Sequence, residues 1–446
     1  MMDLNLCDDL LAQAKRLGAT SADVTAAESQ GFTAGVRLRA VETLKQSSER
    51  LVGLRLFAGK RSASSATSDL SPAALRKLVE DTWALARHTA EDPDAGLPEA
   101  TAAPFPQIEN LFDAAIGKLG TERKLDMATA CENAALSGDP RLVNSEGAEC
   151  EAGAGRVLYA DSRGFRGEYR GSHISLSVSP VAKEGEKMQV DSWWSATRSL
   201  KNLEKPEEVG RTAAKRVLRK LGGRKGKTCQ VPVVFDPVTA GRLLRSLCGA
   251  VSGSSVYRRM SFLADRLGET IASPEVTVVD DALLPGGLGS RPFDAEGIPS
   301  RRTPVIERGK LQSFLCDAYA ARKLKTSSTA SAARGPGESV GVAPSNFFLL
   351  PGKASPESSV AGVPDGLYVT DLMGFGVNGV TGDYSQGAAG MWIEKGRLAY
   401  PVEEITIAGN LLQMLKDIDA VGSDLVHRGT VDAPTLRIAR MTIAGN

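Results

Sequence analysis

The chain has 446 residues, 42% hydrophobic and 24% charged, a length that calls for two or three domains and a composition that excludes wholesale disorder. Its 54 Lys and Arg face 53 Asp and Glu, a net charge of +1. Without a basic surplus to neutralise phosphates, no nucleic-acid partner is expected. The nearest basic runs are Arg211–Lys227 and Arg322–Lys325, and the first reads as a helix with a solvated basic face that runs into a Gly/Lys loop.

Asp3 is placed to cap a helix to Leu17, with Leu10, Leu11, Ala14 and Leu17 on one face and Gly18 ending it. The start, Met1-Met2-Asp3-Leu4-Asn5, lacks the basic region of a signal peptide. Strand-like runs come next at Ala22–Ala27, Phe32–Ala40, Leu51–Phe57 and Arg61–Ala66, with a turn at Ala58-Gly59. Ser71-Pro72 opens a second helix, Ser as cap and Pro in the first turn. Thr89–Pro106, with Pro93, Pro98, Pro104 and Pro106, reads as an extended linker closing a first domain, 1–106.

A middle domain, 107–227, begins with a helix over Thr121–Leu136. Ser172–Ser179 alternates polar and apolar residues, as a half-buried strand does. A charged helix, Pro206–Leu221, completes it. The third domain, 228–446, opens with the apolar strand Gln230–Phe235 and a helix capped by Asp236-Pro237. Arg308-Gly309 and Lys395-Gly396 read as two-residue hairpin turns. Residues 325–346, rich in Ser, Gly and Ala, read either as a mobile lid or binding loop or as a plain solvated loop. No run approaches the ~18 apolar residues of a membrane span. Cys7, Cys131, Cys150, Cys229, Cys248 and Cys316 form no CxxC pair, which points to reduced thiols and a cytoplasmic setting. The elements add up to a multidomain α+β chain with mixed or antiparallel sheets and flanking helices.

Catalytic motifs are absent from the sequence pattern. His88, His173 and His427 are isolated from one another, so no local zinc pair exists. No Walker A loop occurs. Gly374-Phe375-Gly376-Val377-Asn378-Gly379 fits Gly-x-Gly-x-x-Gly, but residues 380–387 lack helical periodicity, so a nucleotide site is not expected. Its glycines read instead as letting backbone approach a partner closely.

The stretch Asp371–Gly390 resembles the signature of the PmbA/TldE branch of the TldD/PmbA peptidase family. Ala399–Asn410, Ala433–Ile438 and Gly18–Val24 continue the resemblance in the family's order, over essentially the whole chain. It implies a TldD/PmbA-like fold. It also implies a contrast between branches, because TldD-like chains carry His-Glu-x-x-x-His and a later Cys that hold zinc. The matching stretch here is Arg245-Ser246-Leu247-Cys248-Gly249-Ala250, with Arg245, Ser246 and Ala250 in place of the two His and the Glu. Asp424 to Pro434, where the later Cys would fall, contains no Cys. A site rebuilt from Cys248 and His427 would have two ligands and no base, a poor hydrolase.

The resemblance therefore implies no catalytic residue and no cofactor in this chain, with zinc in a TldD-like partner subunit. The pair would form a heterodimeric peptidase acting on unfolded or extended peptides. Gly374, Gly376, Asn378, Gly379, Thr381, Gly382, Asp383, Tyr384, Ser385, Gln386 and Gly387 are the expected partner- or peptide-facing residues, with 325–346 beside them. The rival readings are a stand-alone regulatory protein, such as the modulator of DNA gyrase with which the family is associated, and a homodimer of this chain.

Overall fold

Asp3, Ser71 and Asp236 each accept a hydrogen bond from the backbone N–H three residues on, Leu6 at 3.1 Å, Ala74 at 3.3 Å and Thr239 at 2.9 Å. Each thereby caps a helix: α1 (Leu4–Leu17), α2 (Pro72–His88) and α6 (Pro237–Ala250). The computed structural model describes residues 2–99, 104–374 and 376–445. Residues 100–103 of the expected linker and Phe375 of the signature lie outside the described residues.

The first half builds one long antiparallel sheet. Its strands are β1 (Ser21–Arg37), β2 (Ala40–Ala58), β3 (Arg61–Thr67), β4 (Leu142–Asp161), β5 (Arg166–Glu184), β6 (Lys187–Val190) and β7 (Trp193–Thr197). The order is β3-β2-β1-β4-β5-β6, with β7 also on β5. The strands on either side of Pro106 thus share a sheet, because β1 pairs with β4 from Asp23↔Asp161 to Val36↔Ala148. The two runs read at Ala22–Ala27 and Phe32–Ala40 are one strand, and β2 extends well before Leu51.

Four helices cover one face of this sheet. Ala22, Val24, Ala26, Leu158 and Ala160 pack under α1 and α2. Val36, Ala148, Cys150 and Ala152, of the same parity along the strands, pack under α4 (Thr121–Leu136) and α5 (Pro206–Leu218). A single turn, α3 (Ala114–Gly117), precedes α4. On the opposite face the two ends differ. Asp23, Thr25, Tyr159 and Asp161 are buried beneath C-terminal segments, while Ser29, Glu149, Glu151 and His173 face solvent.

The C-terminal part contains the remaining strands, α6 and four short helices. β8 (Arg224–Lys225), β9 (Cys229–Phe235), β16 (Asp365–Met373), β17 (Asp383–Glu394), β18 (Arg397–Asn410), β19 (Ile418–Val421) and β21 (Leu436–Ala444) form one sheet. β21 pairs with β9 and also with β18, so β21-β9-β16-β17-β18 closes into a five-stranded ring. A second sheet runs β12-β11-β10-β15-β20, from Lys310–Leu311, Arg302–Glu307, Val278–Asp281, Phe347–Leu349 and Val431–Asp432. β13 (Ala332–Ala333) and β14 (Gly341–Val342) pair separately. The largest core joins α6 to both larger C-terminal sheets. Arg308, Gly309, Lys395 and Gly396 all have positive φ, as two-residue hairpins of matching twist require.

Residues 325–346 are not a plain solvated loop. Ala330, Ser331 and Ala332 are buried, and the backbone at Pro336-Gly337 lies flat on the first sheet. A Cβ on Gly53 would fall 2.0 Å from the Gly337 nitrogen, and one on Gly337 2.4 Å from Ala66 Cβ. Small residues here serve close approach of two backbones, not freedom. The described part of the expected linker is likewise held in place. Arg322, on α8 (Ala318–Leu324), donates to the carbonyls of Asp94 at 2.7 Å and Gly96 at 2.8 Å, and Lys323 pairs with Asp94 at 2.6 Å. α7 (Gly253–Tyr257) packs beside α8.

Candidate functional site

Strand β9 delivers the chain to α6 through the Asp236-Pro237 cap. The second Asp236 oxygen accepts from Arg216 on α5 at 3.1 Å, which fixes the start of α6 against the middle segment. Leu243, Leu244, Leu247 and Cys248 point into the core, while Arg242, Arg245 and Gly249 are exposed and Ser246 is half-buried. Arg242 reaches the Leu372 carbonyl at 2.5 Å and Asp371 at 3.8 Å, tying α6 to β16.

The three positions that the resemblance singles out therefore present an exposed guanidinium, a hydroxyl and a methyl. Ala250 is buried, and its carbonyl accepts from Ser261 Oγ at 2.6 Å. Zinc sites draw on thiolate, imidazole and carboxylate, and a fixed cation beside them repels the ion. Arg245, Ser246 and Ala250 do not fit a zinc ion. Cys248 is inward, its thiol pushed up to about 12 by burial and then by Asp280. His427 sits 3.5 Å from Asp432 and edge-on to Phe348, with ring centroids 4.7 Å apart. His173 lies 3.4 Å from Glu151, and His88 ends α2. Among the described residues, no group of three or more His, Cys, Asp and Glu is arranged to hold a metal ion.

The signature stretch joins β16 to β17, and a strand rather than a helix comes after the glycines. The loop is braced from within and from both sides. Asn378 Oδ1 accepts from Val380 N at 3.0 Å and Thr381 N at 3.3 Å, and Thr381 Oγ1 donates to Asp383 at 2.7 Å. Phe262 N donates to the Gly379 carbonyl at 2.9 Å, and Asn410 Nδ2 to the Thr381 carbonyl at 3.0 Å. Ser385 N closes back on the Gly376 carbonyl at 2.6 Å. Gly374, Asn378, Gly379, Thr381, Asp383 and Ser385 are exposed, and Gly376, Gln386 and Gly387 half-buried. Gly382 and Tyr384 depart from the outward-facing expectation. Gly382 is buried against the Phe262 ring, and Tyr384 belongs to the core, its hydroxyl donating to Gln386 at 3.2 Å. The period-2 alternation of β17 turns Tyr384 inward between exposed Asp383 and Ser385.

Sequence reasoning missed the charge cluster at the seam between the first sheet and the C-terminal part. Asp23 is fully buried and bonded to Arg55 at 2.5 Å and to Arg334. Arg55 also meets Glu296 at 3.3 Å, and Glu296 accepts from Ala318 N at the start of α8 at 2.8 Å. Burial alone would raise the Asp23 carboxyl; the two guanidiniums outweigh it and hold it below the usual carboxylate range.

A long antiparallel sheet, helical on one face and joined to a small closed ring of strands, defines a class of multidomain α+β proteins. A proposed modulator of DNA gyrase from Bacteroides thetaiotaomicron matches it with a TM-score of 0.92 and 29% identity over 99% of both chains. A proposed modulator of DNA gyrase from Thermotoga maritima matches at 0.90 and 25%, over 99% of this chain and 100% of that one. TldE from Thermococcus kodakarensis shares the fold at 0.87 and 22%, over 98% and 99%. In sequence, PmbA/TldA metallopeptidase domain 1 matches residues 22–86, the central domain 115–221 and the C-terminal domain 228–445. Metalloprotease PmbA of Escherichia coli O157:H7 is 35% identical over 98% of this chain and 94% of its own. The Metalloprotease PmbA homolog of Haemophilus influenzae is 34% identical over 97% and 94%. The chain belongs to the PmbA/TldD metallopeptidase family.

Proposed function

We propose that this chain is the metal-free subunit of a heterodimeric peptidase. A TldD-like partner carries the zinc, and this chain forms part of the wall and peptide path. The observation that carries the reading is the face of α6, where Arg245, Ser246 and Ala250 offer no ligand and no base at the positions the resemblance identifies. The braced loop 374–387 supports a docking role, since a preordered loop loses little entropy on association. An extended peptide is held by strand addition, through backbone bonds that tolerate varied side chains. The five-stranded ring is closed, so the free edges at β3 and along β6 and β7 suit that addition better.

The test uses the chain alone and the chain co-expressed with a TldD-like subunit from the same source. Each is assayed for bound zinc and for cleavage of an unfolded peptide. The expected result is an inert, zinc-free single chain and an active pair, with the pair lost when residues 376–382 are shortened. Cleavage by the chain alone, or an unchanged heterodimer after shortening, sinks the proposal.

A further inference from the structure

A cavity of about 130 Å³ opens at the seam between the first sheet and the C-terminal part. β1, β4 and β5 supply one wall, and residues 291–295 and 332–336 the other. Its donors lack acceptors. Arg291 makes no side-chain hydrogen bond, and its Nε and Nη2 are shielded from solvent without a partner. Tyr159 Oη and Arg334 Nε are in the same state, on side chains that are almost wholly buried. Such orphaned donors are rare in folded proteins and mark the place of something that accepts from them.

Asp280 and Asp294 lie near enough to feel the charge of Arg291, but neither hydrogen-bonds it, and Asp280 accepts from Ser345 N at 2.8 Å. Asp294 lines the cavity, but its oxygens accept from the N–H groups of Glu296 at 2.9 Å, Ile298 at 3.0 Å and Ala332 at 3.1 Å. Asp23 is committed to Arg55 and Arg334. Three aromatic rings stand in the wall among small side chains. Phe293 is buried, with Tyr169 edge-on at 5.4 Å and Tyr159 at 6.4 Å.

We propose that this cavity binds a small organic carboxylate with an apolar or aromatic body, the carboxylate on Arg291 and the body against Phe293, Tyr159 and Tyr169. A guanidinium fork matches a planar carboxylate bidentately. A phosphate would leave the aromatic wall unused. The volume suits a single ring, since an apolar cavity of about 150 Å³ takes up benzene. The assignment is independent of the zinc question, because none of these residues lies on α6.

Benzoate titrated into the full chain, tracked by calorimetry and by the melting temperature, tests it. Saturable binding with a raised melting temperature is expected. Arg291→Met should weaken binding roughly tenfold to a hundredfold, the span of a lost charge-assisted bond. Arg291 bonds no other side chain, so the variant should keep its far-ultraviolet spectrum. Ala27→Leu, which extends from β1 into the cavity, should abolish binding by a separate route. Absence of saturable benzoate binding, meaning a cavity that holds water alone, overturns the proposal. So does inorganic phosphate binding in preference to benzoate, or undiminished binding in Arg291→Met.

Discussion

The two ends of the first sheet are built on the same strands and covered by similar helix pairs, yet they behave as different materials. At the end carrying Asp23, Arg55 and Tyr159, both faces are covered, and the buried charge of Asp23 survives because Arg55 and Arg334 match it. At the end carrying Glu149, Glu151 and His173, one face is bare and the charges are simply solvated. The difference teaches that the seam, rather than strand pairing, decides where this sheet is fragile. A buried ion that loses its partner keeps its full desolvation cost, while an exposed one loses almost nothing.

Asp23→Ala should give the largest effect, since it strands Arg55 and Arg334. A loss of about 3–5 kcal/mol is expected in denaturant unfolding. Glu151→Ala at the open end should stay within about 0.5 kcal/mol. Equal losses at the two ends would erase the distinction. Gly53→Val comes next, because its side chain meets the Gly337 backbone. An overpacking cost of about 1–3 kcal/mol is expected, with faster proteolysis in 334–338; a variant as stable and as resistant as the parent would show that the loop is not clamped.

The last effect is a slope. Burial and the neighbouring Glu296 push the Asp294 carboxyl up to about 7 from 3.8. Between those values the folded chain holds a proton that the unfolded chain has released. Its contribution to stability is therefore full below pH 3.8 and lost as pH rises through 7. The loss approaches about 1.4 kcal/mol per pH unit at its steepest. Asp294→Asn cannot titrate and should show a shallower decline across this window; parallel curves would exclude Asp294 as the source.

Helix caps and tight turns were legible because their signals are local. Ser71-Pro72, Asp236-Pro237, Arg308-Gly309 and Lys395-Gly396 each state a backbone geometry within two residues. The first half of β2 was not legible. Glu42, Gln46, Glu49 and Arg50 are exposed, so that stretch shows no alternation to read. Residues 325–346 misled because small residues signal freedom and close contact alike. On α6, composition gave the cap and the buried stripe. Only the family resemblance gave meaning to Arg245, Ser246 and Ala250. The cavity left no trace in spacing, since Ala27, the Tyr159–Tyr169 hairpin and Arg291 come from three distant stretches.

The Asp23–Arg334 bond spans 311 residues. A ribosome adding about 5–20 residues per second needs roughly 15–60 s to cover that distance. Throughout that interval Arg55 is the only one of the two arginine partners of Asp23 yet made, and until residues 291–336 follow, the face of the nascent sheet that will become the seam has nothing to cover it. The amino-terminal half is thus committed early to a surface that only residues 291–336 can complete, which makes this acid a timing point in the biogenesis of the chain.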